Sequence, residues 1–335
     1  DLNTSRQEQE RKIMAQVSEQ LSCNPEKLYQ RVLVLVGEGW NQGIVGIASS
    51  KILEQFGKPN VLFSVEGEMA VGSARSVGDF SLYDALCYCS SLLTKFGGHK
   101  LAAGMQLPAA ELPAFEEAVN GYAREFFPEM PALEYRVDSV LFPEELTLEN
   151  VESLAGLEPF GAGNPAPLFL IENARIQEIV PLSGNRHVKL KLRAGRCWFE
   201  ALQFGVGTDE FPYFPGQDVD LLVSLDINEF RGKRTVSVKI KDIHPAGFDV
   251  EQYLLEKSEY EKFNRGEPVL QQFLRSFLPT REEVAVIYRF LRAHAGFQGD
   301  LDMLYIRPQI NRLGYGKYRV ALDVLEEVGL INCAA

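Results

Sequence analysis

The first 130 residues alternate between two apolar periods. Residues 1–20 (DLNTSRQEQERKIMAQVSEQ) are polar and rich in helix formers, with Leu2, Ile13 and Val17 as sparse apolar contacts, so the spacing predicts an exposed connector helix over 1–30. RVLVLVGE (31–38) is a short apolar run bounded by glycine and predicts a buried strand. IVGIASSKILEQFG (44–57) has helical spacing and a glycine stop. NVLFSVEG and MAVGSARSV predict two strands and SLYDALCYCSSLLTKFG a helix; HKLAAGMQL predicts a strand and PAAELPAFEEAVNGYAREFF a helix with proline near its first turn. Strands alternating with helices predict an α/β layer domain over 31–130.

After PEMPALEY the pattern changes. YRVDSVLF (135–142) predicts a strand, LTLENVESLAGL a short helix, and EPFGAGNPAPLF a Gly/Pro-rich bend. FLIENARIQEIV, HVKLKLRAG, CWFEALQFG, DVDLLVSLDINEF and RTVSVKIKDI then follow as five short strands separated by turn signals. Five such strands predict a small barrel over 131–248, for which the oligonucleotide-binding (OB) fold is the common five-stranded case. Residues 249–335 turn helical: Thr280 and Glu283 form a capping box ahead of VAVIYRFLRAHAG, and DLDMLYIRPQINRLG and YGKYRVALDVLEEVGLI predict two more helices. Three helices with short connections predict a winged-helix or helix-turn-helix bundle, without a complete wing. The whole reads as a multidomain α/β (α+β) chain.

Composition narrows the function classes. With 46% hydrophobic and 24% charged residues, the 335-residue chain is that of an ordinary soluble, cytoplasmic, multidomain protein, with no apolar run long enough for a membrane span. It opens on Asp1 rather than Met, which reads as a processed or excised chain. Five cysteines without a CxxC pair read as reduced thiols; Cys87 and Cys89, two apart on a predicted helix, point to different faces and make a poor metal clamp. The net charge of −12 argues against a generally basic nucleic-acid coat. Residues 181–245, however, hold ten Lys and Arg against eight Asp and Glu, so this stretch carries +2 and the remainder −14. Local charge decides where a phosphate backbone can lie.

Three stretches of the first domain carry candidate chemistry. FGGHKLAAG (96–104) sets His99 after Gly97 and Gly98, which allow positive φ and close approach of a ligand; spacing alone equally fits a tight helix-to-strand turn with an exposed histidine. GSARS (72–76) sets Arg75 and Ser76 among small residues as a phosphate clamp, or Arg75 as half of a surface ion pair. EGWNQGIVGI (38–47) sets Trp40 and Asn41 where a strand ends and a helix begins, a position that favours an anion; loop packing is the alternative for Trp40.

GWNQGIVGIASSKILEQFGKPNVLF, GSARSVGDFSLYDAL and LLTKFGGHKLAAGMQL, in this order, resemble the DHH-associated domain of the RecJ single-strand-specific exonucleases. LEPFGAGNPAPLF resembles the bend that follows it in that family, and the strands from HVKLKL to VSVKIKDI resemble the family's OB domain. The terminal 250–335 is more weakly similar to the C-terminal region of some members. The resemblance implies a 5′-to-3′ exonuclease of single-stranded DNA, used in DNA repair and recombination. It also implies two divalent metal ions, manganese or magnesium, held by Asp and His residues of an N-terminal DHH domain. No Asp-His-His triplet occurs here; Asp218/Asp220 and Asp300/Asp302 have carboxylate spacing but no neighbouring histidine and read as solvated surface. The chain is therefore expected to lack the metal-binding domain, to contain no catalytic residue or metal of its own, and to be inactive alone.

By resemblance, His99, Gly97 and Gly98 would line the substrate cleft, and Arg75 and Ser76 would hold phosphate near the 5′ end. Trp40 and Asn41 lie where the family often shows Trp-His, with Asn41 in place of the histidine. On the barrel, Arg186, Lys189 and Lys191 follow one strand, with Lys189 and Lys191 on one face. Arg231, Lys233 and Arg234 sit in the FRGKR turn, and Phe230 beside them is a candidate for base stacking; Phe199 and Phe204 read as barrel core. Single-stranded DNA is the expected partner, with repair or replication proteins on the terminal helices and no membrane. The alternatives are a stand-alone binding or partner-recruiting protein and a short-oligonucleotide phosphodiesterase relative.

Overall fold

Hydrophobic periodicity becomes three layers in the first part of the chain. In the computed structural model, which describes residues 2–332 apart from 162, 210, 231, 295, 298–300 and 308–309, the chain divides into two compact units. The first comprises residues 1–134 with 261–268 and 331–335. Its elements are α1 (Leu2–Cys23), β1 (Leu33–Glu38), α2 (Gln42–Phe56), β2 (Asn60–Glu66), β3 (Met69–Arg75), α3 (Leu82–Tyr88), β4 (Lys95–Gly98), β5 (Ala102–Pro108) and α4 (Leu112–Phe126). The sheet order is β1-β2-β3-β5-β4, parallel only between β1 and β2. One face is closed by α1 and α2 around Ile13, Val17, Leu35 and Ile52, the other by α3 and α4 around Phe63, Phe80, Leu86 and Phe115.

The helix predicted through 81–97 stops at Tyr88, and Lys95–Gly98 is a strand instead. Two consecutive glycines are poor helix formers, and pairing Phe96↔Met105, Gly97↔Gly104 and Gly98↔Ala103 satisfies their backbone. FGGHKLAAG is thus a β-hairpin rather than a helix-to-strand turn, closed by the His99 amide donating to the Ala102 carbonyl at 2.8 Å.

The second unit, residues 135–260 and 269–330, begins with β6 (Ser139–Val140), a two-residue remnant of the strand expected over 135–142, and α5 (Leu148–Ser153). The barrel follows as β7 (Phe169–Leu182), β8 (His187–Ala194), β9 (Cys197–Phe204), β10 (Asp218–Phe230) and β11 (Lys233–Pro245). All five expected strands form. Antiparallel β10–β7 pairing and the parallel contact Val238↔Ala201 between β11 and β9 close it. Alternate residues Val188, Leu190 and Leu192 of β8 enter a core with Ile171, Ile176, Leu221 and Val223.

Among the described residues five α-helices follow where three were expected: α6 (Val250–Asn264), α7 (Gln271–Ser276), α8 (Arg281–Ala293), α9 (Leu301–Tyr305) and α10 (Tyr315–Glu327). The helix expected over 300–314 ends at Tyr305; the proline at 308 disfavours helical backbone just before it. Among the described residues no strand follows β11, so this region is helical without a wing. Tyr253, Tyr305, Tyr315 and Tyr318 pack ring against ring at its centre, and Asp302 accepts from Tyr315 Oη at 2.8 Å and from Lys257. Asp302, expected on the solvated surface, is half-buried there, and Asp300 lies outside the described residues.

Candidate nucleic-acid interface

Beyond the edge of α2 the sheet of the first unit presents a shelf of small residues. Ser73, Gly104 and Gly97 lie in one row across β3, β5 and β4, and Arg75 pairs with Ala102 in the next. A Cβ at Gly97 would meet nothing within 4 Å, and at Gly104 only the Gly72 carbonyl at 3.8 Å, so a chain can approach this backbone closely. Gly98 is required for a different reason. Its φ is +153°, and a Cβ there would lie 2.5 Å from the Ala102 oxygen. Only this one of the two glycines needs the conformation expected of both.

Arg75 stands at the side of the shelf. Its Nε donates to Ser50 Oγ at 3.1 Å and its Nη1 to the Ala74 carbonyl at 2.8 Å, which hold the guanidinium in place. Among the described residues no carboxylate pairs with it. A positioned, unpaired guanidinium is suited to an oxyanion. His99, at the hairpin turn, is exposed. Ser76 is not available to a ligand as expected: it is buried, and its hydroxyl donates to the Phe80 carbonyl at 2.7 Å.

Trp40 also departs from its expected role. The ring is 4% exposed, packs over Gly37 (where a Cβ would collide with it) and donates through Nε1 to Gln16 of α1. An indole enclosed by α1 and α2 is core, so loop packing describes it. Asn41 is exposed and caps α2, its side chain accepting from the Gly43 amide at 2.9 Å.

The outward face of β8 and β9 alternates charge and aromatic surface. The outward rows are His187 opposite Phe204, Lys189 opposite Leu202, Lys191 opposite Glu200, and Arg193 opposite Trp198. Trp198 is 63% exposed and Phe204 53%. Phe199 packs against the barrel core as expected, but Phe204 does not: its parity turns it outward, against the His187 ring. Lys189 and Lys191 share this face, and both are ion-paired, Lys189 with Glu200 at 3.1 Å and Lys191 with Glu178 of β7 at 2.7 Å. Lys239 of β11 pairs with Asp226 of β10 at 2.7 Å, and these residues border a groove of about 460 Å³. The ion pairs hold the Asp226 carboxyl below the usual carboxylate range, chiefly through the Lys239 hydrogen bond, and raise the Lys191 ammonium, chiefly through that of Glu178.

The turn residues are dispersed around the rim. Arg186 is exposed and donates to the Ser183 carbonyl; Lys233 is exposed at the β10–β11 hairpin; Arg234 pairs with Glu152 at 2.6 Å. Arg231 and the Phe230 side chain lie outside the described residues. Sequence reasoning missed Trp198 and Arg193. The signal was present in their two-residue spacing from Glu200 and Lys191, which puts them on the lysine face once the register is known.

Among the described residues no three His, Cys, Asp or Glu side chains converge to hold a metal ion. The donor set of a two-metal hydrolase is therefore not found in them. No described helix is long and apolar enough to cross a membrane.

The DHHA1 domain family matches residues 28–125 and the RecJ OB domain family residues 137–242. This chain carries the DHHA1 and OB domains of the RecJ family. The single-stranded-DNA-specific exonuclease RecJ of Bacillus subtilis is 32% identical over 247 residues, covering 72% of this chain and 31% of the relative. The Escherichia coli RecJ is 34% identical over 214 residues, covering 62% and 37%. The crystal structure of Thermus thermophilus RecJ in complex with Mn2+ superposes with a TM-score of 0.54 at 29% identity, over 72% of this chain and 34% of that one. The chain thus spans about a third of the length of these RecJ relatives. The shelf with Arg75 and His99 lies within the DHHA1 match, and the Trp198–Phe204 face within the RecJ OB match.

Proposed function

We propose that this chain is the substrate-holding part of a RecJ-type exonuclease that degrades single-stranded DNA from its 5′ end in DNA repair and recombination in the cytoplasm. The observation that carries the reading is the tandem of an open small-residue shelf with an unpaired Arg75 and a barrel face bearing exposed Trp198 and Phe204. Arg75 offers a guanidinium fork to a terminal phosphate, with Gly97 and Gly104 admitting the sugar–phosphate chain and His99 at the rim; the barrel rings stack on bases further along. The hydrolytic chemistry itself belongs, in this reading, to two divalent metal ions, manganese or magnesium, in a DHH domain outside these 335 residues. The reading extends to repair or replication proteins on the terminal helices, where Leu274 of α7 and its flanking Leu270 and Leu278 lie exposed.

Fluorescence anisotropy of the 335-residue chain with single-stranded oligonucleotides tests it. Binding is expected to be weak, to fall with salt, and to favour a 5′-phosphate over a 5′-hydroxyl end. Arg75→Ala is expected to remove that preference, about a tenfold effect for a charge-assisted hydrogen bond, and His99→Ala to reduce it less. Absence of single-strand binding by the wild-type chain would overturn the reading.

A further inference from the structure

The central lysines of the barrel face already have carboxylate partners. Lys189, Lys191 and Lys239, the three lysines at its centre, each face a carboxylate on the neighbouring strand at 3.1, 2.7 and 2.7 Å. Their outward positions place Glu178, Glu200 and Asp226 in the surface a nucleic acid would lie on, with Glu200 and Asp226 bordering the groove. A face whose purpose was to hold phosphate by charge would leave those ammonium groups unpaired, as Arg75 is left on the shelf. At either end of the paired centre stand the exposed rings, Trp198 beside Arg193 and Phe204 beside His187. They are six residues apart on one strand, roughly 20 Å, so both can be engaged only by an extended ligand.

We infer that Glu178, Glu200 and Asp226 are specificity-determining residues that set this face against double-stranded DNA. The inference rests on the proposed function and names how the same face selects its substrate. A duplex presents two phosphate strands and keeps its bases stacked inside. It meets carboxylate repulsion at twice the linear charge density of a single strand and gains nothing from the rings. A single strand can turn its bases onto Trp198 and Phe204, an attraction indifferent to sequence and to the ion pairs. The three ion pairs are exposed and individually weak, so the carboxylates act through the potential they impose where phosphates would lie rather than by locking the lysines.

The test compares the full 335-residue chain, wild type and variants, for binding to a labelled oligothymidine and to a blunt mixed-sequence duplex of the same length across a salt series. The Glu178→Gln/Glu200→Gln/Asp226→Asn variant is expected to gain about tenfold or more for duplex and much less for the single strand. Its salt dependence on duplex should steepen by about 2 to 3 in log K against log salt, as the face loses three negative charges opposite phosphate. Trp198→Ala/Phe204→Ala is expected to lose about tenfold per ring for the single strand and to leave duplex binding unchanged. All five side chains project outward from the barrel, and circular dichroism melts confirm that the variants fold. If the carboxylate variant binds duplex no better than wild type while wild type binds the single strand, the inference fails and the proposed function stands. If wild type binds no single strand, both fail.

Discussion

Cys87 and Cys89 lie two positions apart at the end of α3, and burial sets the difference in reactivity between them. Cys87 is exposed, whereas Cys89 is 1% exposed beneath α4, and burial pushes its thiol up to about 11. The thiolate is the nucleophile, so Cys89 is inert at neutral pH. Treatment of the native chain with a disulfide reagent near pH 8 is expected to label Cys23 and Cys87 first and Cys89 only on unfolding; equal rates at Cys87 and Cys89 in peptide mapping would contradict this. Cys197 is slowed as well, by a hydrogen bond to Glu144 that favours the protonated thiol. At this scale the sequence identified which residues carry chemistry but not which way they face. Arg75 and Trp40 both stand in glycine-rich surroundings; one ends on an open shelf and the other under two helices. The difference lies in contacts made by Gln16 and Ser50, remote in sequence from the residues they hold.

Elements bounded by local signals were legible; elements decided by pairing were not. The capping box of α8 forms as its residue types require: the Glu283 amide donates to Thr280 Oγ1 at 3.3 Å, and the Thr280 amide donates to Glu283 Oε2 at 2.7 Å. Lys317 on α10 adds an ion pair at 2.7 Å, and with the Thr280 amide it holds the Glu283 carboxyl down at about 2. A carboxyl depressed in the folded state stabilises above its ordinary value near 4.5, and that contribution is lost as pH falls from there towards about 2. Thermal melts from pH 7 down to pH 2.5 are therefore expected to show the difference between wild type and Glu283→Gln shrinking as pH falls; a constant difference would refute the linkage. Thr280→Ala is expected to cost about 1 kcal/mol at neutral pH. The hairpin at 95–108 had no such local marker, because the apolar run before its glycines reads equally as helix. Its strand character comes from β5, which supplies the partners for Phe96 and Gly98.

For the whole molecule, an acidic chain with a slightly basic barrel is resolved by ion pairing into an open cation on the shelf and matched charges at the centre of the barrel face. No described cluster of side chains is fit to hold a metal ion, so a pure sample of this chain is expected to leave 5′-labelled single-stranded DNA intact in manganese on a denaturing gel; robust metal-dependent degradation would place the hydrolytic centre within these residues. The sequence by itself determined the two architectures, because hydrophobic periods of 3.6 and 2 and the turn residues between them are local and survive without tertiary context. It likewise determined the family, through motifs that lie in a fixed order along the chain. Only the tertiary structure decided which aromatic residues face outward, which lysines are already paired, and that Gly97 and Gly104 lie side by side. Those facts depend on strand register, and a shift of one residue would turn every side chain of β9 to the opposite face.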